Sequence, residues 1–182
     1  MADLAAAHDQ LRPLMFAIAY RMLGSVTEAE DVVQDALLRL HTVDEPVNSL
    51  EAYASTVTTR LAIDRLRSAR ARREEYVGTW LPEPLVMSGD DINPGGLLER
   101  AEDISMAFLV LLERLSPVER AVFLLREVFA YEYVDISRIV GKSEAYCRQL
   151  LHRARKLLQE SGHRFETSPA KRDQLARGFH RM

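Results

Sequence analysis

From Lys142 to Lys156 the chain carries five basic residues and one acid on what the spacing makes a single helix. Leu150, Leu151, Ala154, Leu157 and Leu158 recur at three- and four-residue intervals and define its inner face. Glu144, Tyr146, Arg148, Gln149, His152, Arg153, Arg155 and Lys156 remain outside. Such side chains hydrogen-bond base edges and pair with phosphates. Ser143 is a ready N-cap, and Gly141 before it accepts the left-handed backbone that ends a helix without a Cβ clash. Upstream, Val134, Ile136, Ile139 and Val140 form the apolar face of a short helix. A short helix, a glycine turn and a basic second helix are the marks of a DNA-reading helix-turn-helix. A helical hairpin with a solvated charged face is the plainer reading of the same pattern.

Charge is segregated elsewhere too. Arg60 to Arg73 holds six arginines and one acid, whereas Glu28 to Glu51 holds seven acids against Arg39, and Glu74 to Asp103 eight acids against Arg100. The net charge of −3 therefore hides two basic helices between acidic segments, a layout for two DNA contacts plus surfaces that meet something basic. Part of the arginine cluster also suits the C-terminal end of a helix dipole.

Other chemistry finds no footing. His8, His41, His152, His163 and His180 put no two ligands on one helix face, and the single cysteine, Cys147, allows neither a zinc motif nor an internal disulfide. There is no phosphate-binding glycine loop and no nucleophile elbow. Glu28, Glu30, Asp31 and Asp35 lack the histidine that helical di-metal sites require, so they read as a partner-facing or solvated acidic surface. Cys147 reads as a small buried apolar residue. No catalytic residue, metal or cofactor is indicated. No apolar run reaches membrane-span length, and the N-terminus lacks a signal-peptide layout.

The elements that must hold these faces are all helical. Residues 2–24 carry Leu11, Leu14, Met15, Ile18, Met22 and Leu23 as a stripe, with Pro13 expected near a helix start or a break. Thr27 and Glu30 suggest a capping box opening a helix with Val32, Val33, Ala36, Leu37 and Leu40 inside, and Glu30, Asp31, Gln34, Asp35 and Arg39 outside. After a loop at 44–49 a helix is expected from about Leu50 to Arg73, with Tyr53, Val57, Leu61 and Leu66 on one face. Tyr76 to Gly96 has three prolines, four glycines and no helical stripe; it reads as an extended linker, with Trp80 docking on a domain or a partner. Helices resume at about Leu97 to Leu115, then from the start signal Ser116-Pro117-Val118-Glu119, and an aromatic turn from Phe129 to Tyr133 leads into the helix-turn-helix. The expected fold is all-α: two small helical bundles, 1–75 and 97–165, joined by a Pro/Gly linker at 76–96, with a short basic tail at 166–182.

Three stretches in this order, AEDVVQDALLRL (Ala29–Leu40), LAIDRLRSARARRE (Leu61–Glu74) and LSPVERAVFLLRE (Leu115–Glu127), together with the helix-turn-helix, resemble the bacterial RNA polymerase sigma factors of the extracytoplasmic-function class. The linker sequence TWLPEP (Thr79–Pro84) is similar to the SigJ-like subgroup, which usually carries a SnoaL-like domain after its second sigma domain. The tail from Glu166 resembles the opening of that domain, whose remainder is absent from these 182 residues. The resemblance implies a cytoplasmic bacterial protein that binds core RNA polymerase through the β′ clamp helices and the β flap. Glu30, Asp31, Gln34 and Asp35 would meet the clamp. The loop from His41 to Leu50, with Asn48, would hold a flipped base of the melted −10 element, and Arg60, Arg65, Arg67 and Arg70 would contact that element. Ser143, Glu144, Tyr146, Arg148, Gln149, His152, Arg153 and Arg155 would lie in the −35 major groove. Trp80 would anchor the linker, which would thread toward the active-site cleft. An anti-sigma protein or the SnoaL-like domain would be the regulator. Tyr53 stands where many members have tryptophan, and Arg60 near a position where they have asparagine.

Two other readings differ in class. A free-standing helix-turn-helix regulator would leave the basic helix at 60–73 and the acidic linker without a role. A hydrolase would have to use the acidic cluster around Glu30, Asp31 and Asp35.

Overall fold

The computed structural model describes residues 2–42, 49–73 and 106–165, all of them helix or short connection with no strand among them. The elements are α1 (Ala2–Leu23), α2 (Val26–His41), α3 (Leu50–Arg73), α4 (Met106–Leu112), α5 (Pro117–Phe123) running into a π-helical turn (Leu124–Val128), α6 (Tyr133–Val140) and α7 (Glu144–Phe165). Asn48, the linker with Trp80, the expected helical stretch 97–105 and the tail at 166–182 lie outside the described residues.

The first bundle forms because three apolar stripes meet. Met15, Ile18 and Met22 of α1, Val32, Val33 and Ala36 of α2, and Ala54, Ala62 and Ile63 of α3 are all buried. Pro13 neither starts nor breaks α1; it lies inside the helix. The carbonyl that loses its donor belongs to Asp9, an exposed residue, so water can satisfy it. The start of α2 also differs from expectation. Ser25, not Thr27, is the N-cap, and its hydroxyl accepts from the Glu28 amide. Ser25 and Glu28 offer the same signature two residues earlier, and the packing of Val26 and Ala29 against the core selects that register.

In the second bundle, Ser116 and Glu119 close the expected capping box, with Pro117 in the first turn. Gly141 ends α6 at φ 66°, and Ser143 caps α7 by accepting from the Tyr146 amide. Ile136, Ile139, Cys147, Leu150, Leu151 and Ala154 are the buried side of the helix-turn-helix. Val134 and Leu157, expected on that side, are 41% and 36% exposed, at the margin of the buried stripe.

The two bundles pack against each other through one continuous apolar cluster that reaches from Leu14 and Ile18 to Leu151 and Ala154. This covers a second face of α3, so Ser55, Thr58 and Thr59 are fully buried. Polar contacts pin the seam. Ser55 Oγ and Tyr131 Oη are 2.6 Å apart, Arg60 donates to the carbonyls of Ile139 and Arg138 at the end of α6, and Arg120 donates to the Met22 carbonyl at 2.6 Å. Among the described residues no helix is long and apolar enough to cross a membrane.

Candidate nucleic-acid interface

The acidic face of α2 is set by its inward residues. With Val32, Val33, Ala36 and Leu40 buried, Asp31, Gln34 and Asp35 must point outward, and all three are exposed. The acids are partnered. Arg65 of α3 sits 3.2 Å from Asp31 and 3.6 Å from Asp35, and Arg12 of α1 is 2.6 Å from Glu30. Exposed pairs of this kind hold little energy and exchange readily for a stronger partner. Leu38, two helical turns beyond Asp31, is 64% exposed on the same side. The seven-residue interval from Asp31 is the sequence signal for that placement.

Along α3 the arginines divide. Arg60 is turned to the end of α6, where its Nε and Nη2 donate to two carbonyls at 2.9 and 2.8 Å. Those carbonyls are the negative end of the α6 dipole, which favours a cation there. Arg65 faces α2, and Arg67, 58% exposed, pairs with Asp64 at 3.6 Å. Arg70 is on α3, its side chain outside the described set. Arg60, Arg65 and Arg67, expected to act together on one DNA element, are therefore held in separate local contacts.

The outer face of α7 is as expected: Tyr146, Arg148, Gln149, His152, Arg153, Arg155 and Lys156 are exposed, and Glu144 is half-buried. Arg148 bonds Glu144 one turn back at 3.0 Å, and its guanidinium carbon lies 4.8 Å from the centre of the Tyr133 ring. Arg155 bonds Glu127 of the π-helical turn at 2.5 Å. Cys147, behind this face, is fully buried; burial pushes its thiol pKa up, Glu144 adds to that and Arg148 opposes it. A thiol held protonated is a poor nucleophile and redox sensor. Tyr133, Arg126 and Glu127 were not singled out from sequence, since they precede the basic helix and only folding brings them to it. Among the described residues no group of three or more His, Cys, Asp or Glu side chains is placed to hold a metal ion.

Comparison with known proteins identifies the family. Residues 8–72 match the Sigma-70 region 2 family and residues 105–158 match Sigma-70, region 4. The chain is 45% identical over 148 residues to the ECF RNA polymerase sigma factor SigJ of Mycobacterium tuberculosis, covering 81% of this chain and 47% of that protein. It is 34% identical over 181 residues to the probable ECF RNA polymerase sigma factor SigI of the same species, covering 97% of this chain and 61% of that one. The crystal structure of Mycobacterium tuberculosis SigJ superposes with a TM-score of 0.68 at 37% identity, covering 95% of this chain and 56% of the other. The chain thus spans about half to three-fifths of the length of these relatives. With regions 2 and 4 in order and an all-helical fold to match, the chain belongs to the extracytoplasmic-function sigma factors, in the group similar to SigJ.

Proposed function

We propose that this chain binds core RNA polymerase and directs it to promoters. Residues 1–75 form the unit that engages polymerase and the −10 element, 97–165 the unit that reads the −35 element, and 76–96 the tether between them. The observation that carries the reading is the separation of three faces on one helical frame. Asp31, Gln34 and Asp35 make an acidic face on α2, Arg60, Arg65 and Arg67 are spaced along α3, and a basic outer face runs along α7 of a helix-turn-helix. An acidic face suits the basic side chains of a polymerase clamp, with Leu38 as an apolar anchor beside it. The arginine surface and the recognition helix suit promoter phosphates and base edges.

Co-elution with bacterial core RNA polymerase on size exclusion tests this directly. The wild-type chain is expected to travel with core at moderate salt. Replacing Asp31, Gln34 and Asp35 together by Ala should weaken the association at least about tenfold while the protein stays folded. An unchanged elution of the folded triple variant would remove α2 from the interface. Failure of the wild type to co-elute, combined with tight operator binding by the chain alone, would establish a free-standing regulator instead.

A further inference from the structure

We infer that Tyr133, which lies outside the recognition helix, is a positioning residue that sets the aim of Arg148 and with it the −35 sequence preference. The inference rests on the assignment of α7 as the −35 reader. Arg148 is 55% exposed on the outer face of α7, and a free arginine there would sample many rotamers and lose that freedom on binding DNA. It is instead held from two sides. Glu144 takes one N–H at 3.0 Å in the favourable acid-before-base spacing of four residues. The Tyr133 ring lies under the guanidinium, 4.8 Å from ring centre to Cζ.

The ring is itself fixed. Arg126 of the π-helical turn lies 5.0 Å from the same ring centre, donates to the Tyr131 carbonyl at 2.8 Å and pairs with Glu132 at 3.1 Å. One connected set of contacts thus runs from the π-helical turn through the first residue of α6 to the second turn of α7. A guanidinium held by its face keeps in-plane N–H donors at its edge, and Glu144 engages one nitrogen. The remaining fork is the geometry that reads a guanine edge through two parallel hydrogen bonds. Tyr133 touches no base in this arrangement. Its effect on sequence preference passes through Arg148.

The test uses holoenzyme reconstituted from the full chain and core polymerase. The probes are a promoter duplex selected from a random library by the wild-type holoenzyme and the same duplex with its −35 hexamer scrambled. The readout is the ratio of the two affinities. Tyr133→Phe should keep the ratio. Phenylalanine carrying one, two and three ring fluorines at this position weakens the ring's negative face with little change of shape, so the ratio should fall stepwise. The total fall should be about two- to fivefold, the size of an exposed cation–π contact. In an Arg148→Ala background the same series should be flat.

A ratio that ignores fluorination, or a series that falls equally in the Arg148→Ala background, overturns the positioning role while leaving −35 reading intact. A ratio unchanged by Arg148→Ala itself removes Arg148 from the reading and overturns this inference, and a selection that returns no −35 motif overturns the reading of α7 with it. The failure of this inference and the failure of the α7 reading are therefore told apart by whether the selection returns a −35 motif.

Discussion

Arg120 is 2% exposed, and its guanidinium finds acceptors on three sides: Nε to the Leu112 carbonyl at 3.0 Å, Nη1 to the Met22 carbonyl at 2.6 Å and Nη2 to Glu113 at 2.6 Å. A charge so placed does not stabilise by its charge alone, since desolvation offsets much of the attraction, but removing it takes one buried donor from the Met22 carbonyl, one from the Leu112 carbonyl, which keeps the Leu115 amide, and the cation from Glu113. Arg120→Met should therefore cost about 3–5 kcal/mol of unfolding free energy. Arg21 is the useful contrast. It is 3% exposed, donates to the Ala17 carbonyl and lies 5.3 Å from the Phe129 ring centre. Burial nonetheless lowers its pKa to about 10, with Tyr20 working weakly the other way. The depressed pKa means the folded state disfavours this charge at neutral pH, so Arg21→Met should lose only about 1 kcal/mol. Urea unfolding of both variants checks the order, and an Arg21 loss as large as that of Arg120 would contradict it. Nothing in the local spacing separates Arg120 from the surface arginines. Its main-chain partner at Met22 is 98 residues away, and only the tertiary fold makes the side chain internal.

The helix ends show where local chemistry decides the structure and where it does not. Ser116, Glu119, Gly141 and Ser143 are legible because a cap or a left-handed turn needs particular residue types within three or four positions. The acidic and basic faces of α2 and α7 were legible for a similar reason, since the inward stripe fixes the outward one. Ser25 was misread as Thr27 because both satisfy the same pattern, and only packing on α1 chooses between them. Ala130 escaped notice altogether: it closes the π-helical turn at φ 57°, a backbone region that favours glycine. There the Phe129 amide returns to the Leu124 carbonyl and the Tyr131 amide to the Leu125 carbonyl, which fixes the turn despite the strain. The two turns that bracket α6 thus predict opposite signs. Gly141→Ala meets no atom within 4 Å and should cost about 1 kcal/mol through backbone strain alone. Ala130→Gly should relieve strain and stabilise by about 0.5 kcal/mol, the gain reduced by the looser unfolded chain. Thermal unfolding should therefore shift down for the first and up for the second.

At the scale of the molecule, the seam between the bundles ties the proposed −10 surface to the proposed −35 unit. Arg60 cannot cap α6 and contact promoter DNA with the same donors, so a proposed −10 contact through its Nε and Nη2 would require these bonds to be released. The seam was not legible in the sequence, because its polar partners are 76 to 98 residues apart and each looks ordinary in its own helix. Tyr131 offers a way to probe it without touching either proposed DNA surface. Its hydroxyl meets Ser55, which is fully buried, and its pKa is raised, first by desolvation and further by Glu51 and Asp135, with the Ser55 hydrogen bond opposing. The folded state therefore holds the phenolic proton more tightly than the unfolded chain. The stability this gives is complete below the ordinary tyrosine pKa of 10.0 and is lost as pH rises through the higher folded value. Tyr131→Phe should cost about 1–2 kcal/mol at neutral pH by leaving the Ser55 hydroxyl buried without this partner. Above pH 10 the gap between wild type and variant should close, since the wild type alone loses the Tyr131 contribution. Hydrogen exchange at neutral pH should show faster amides in α3 and α6 together, which belong to different bundles and are joined by this contact between α3 and the turn that leads into α6. A gap that stays constant with pH would mean that the Tyr131 proton does not report on the seam, and acceleration confined to α6 would mean that the two bundles open independently.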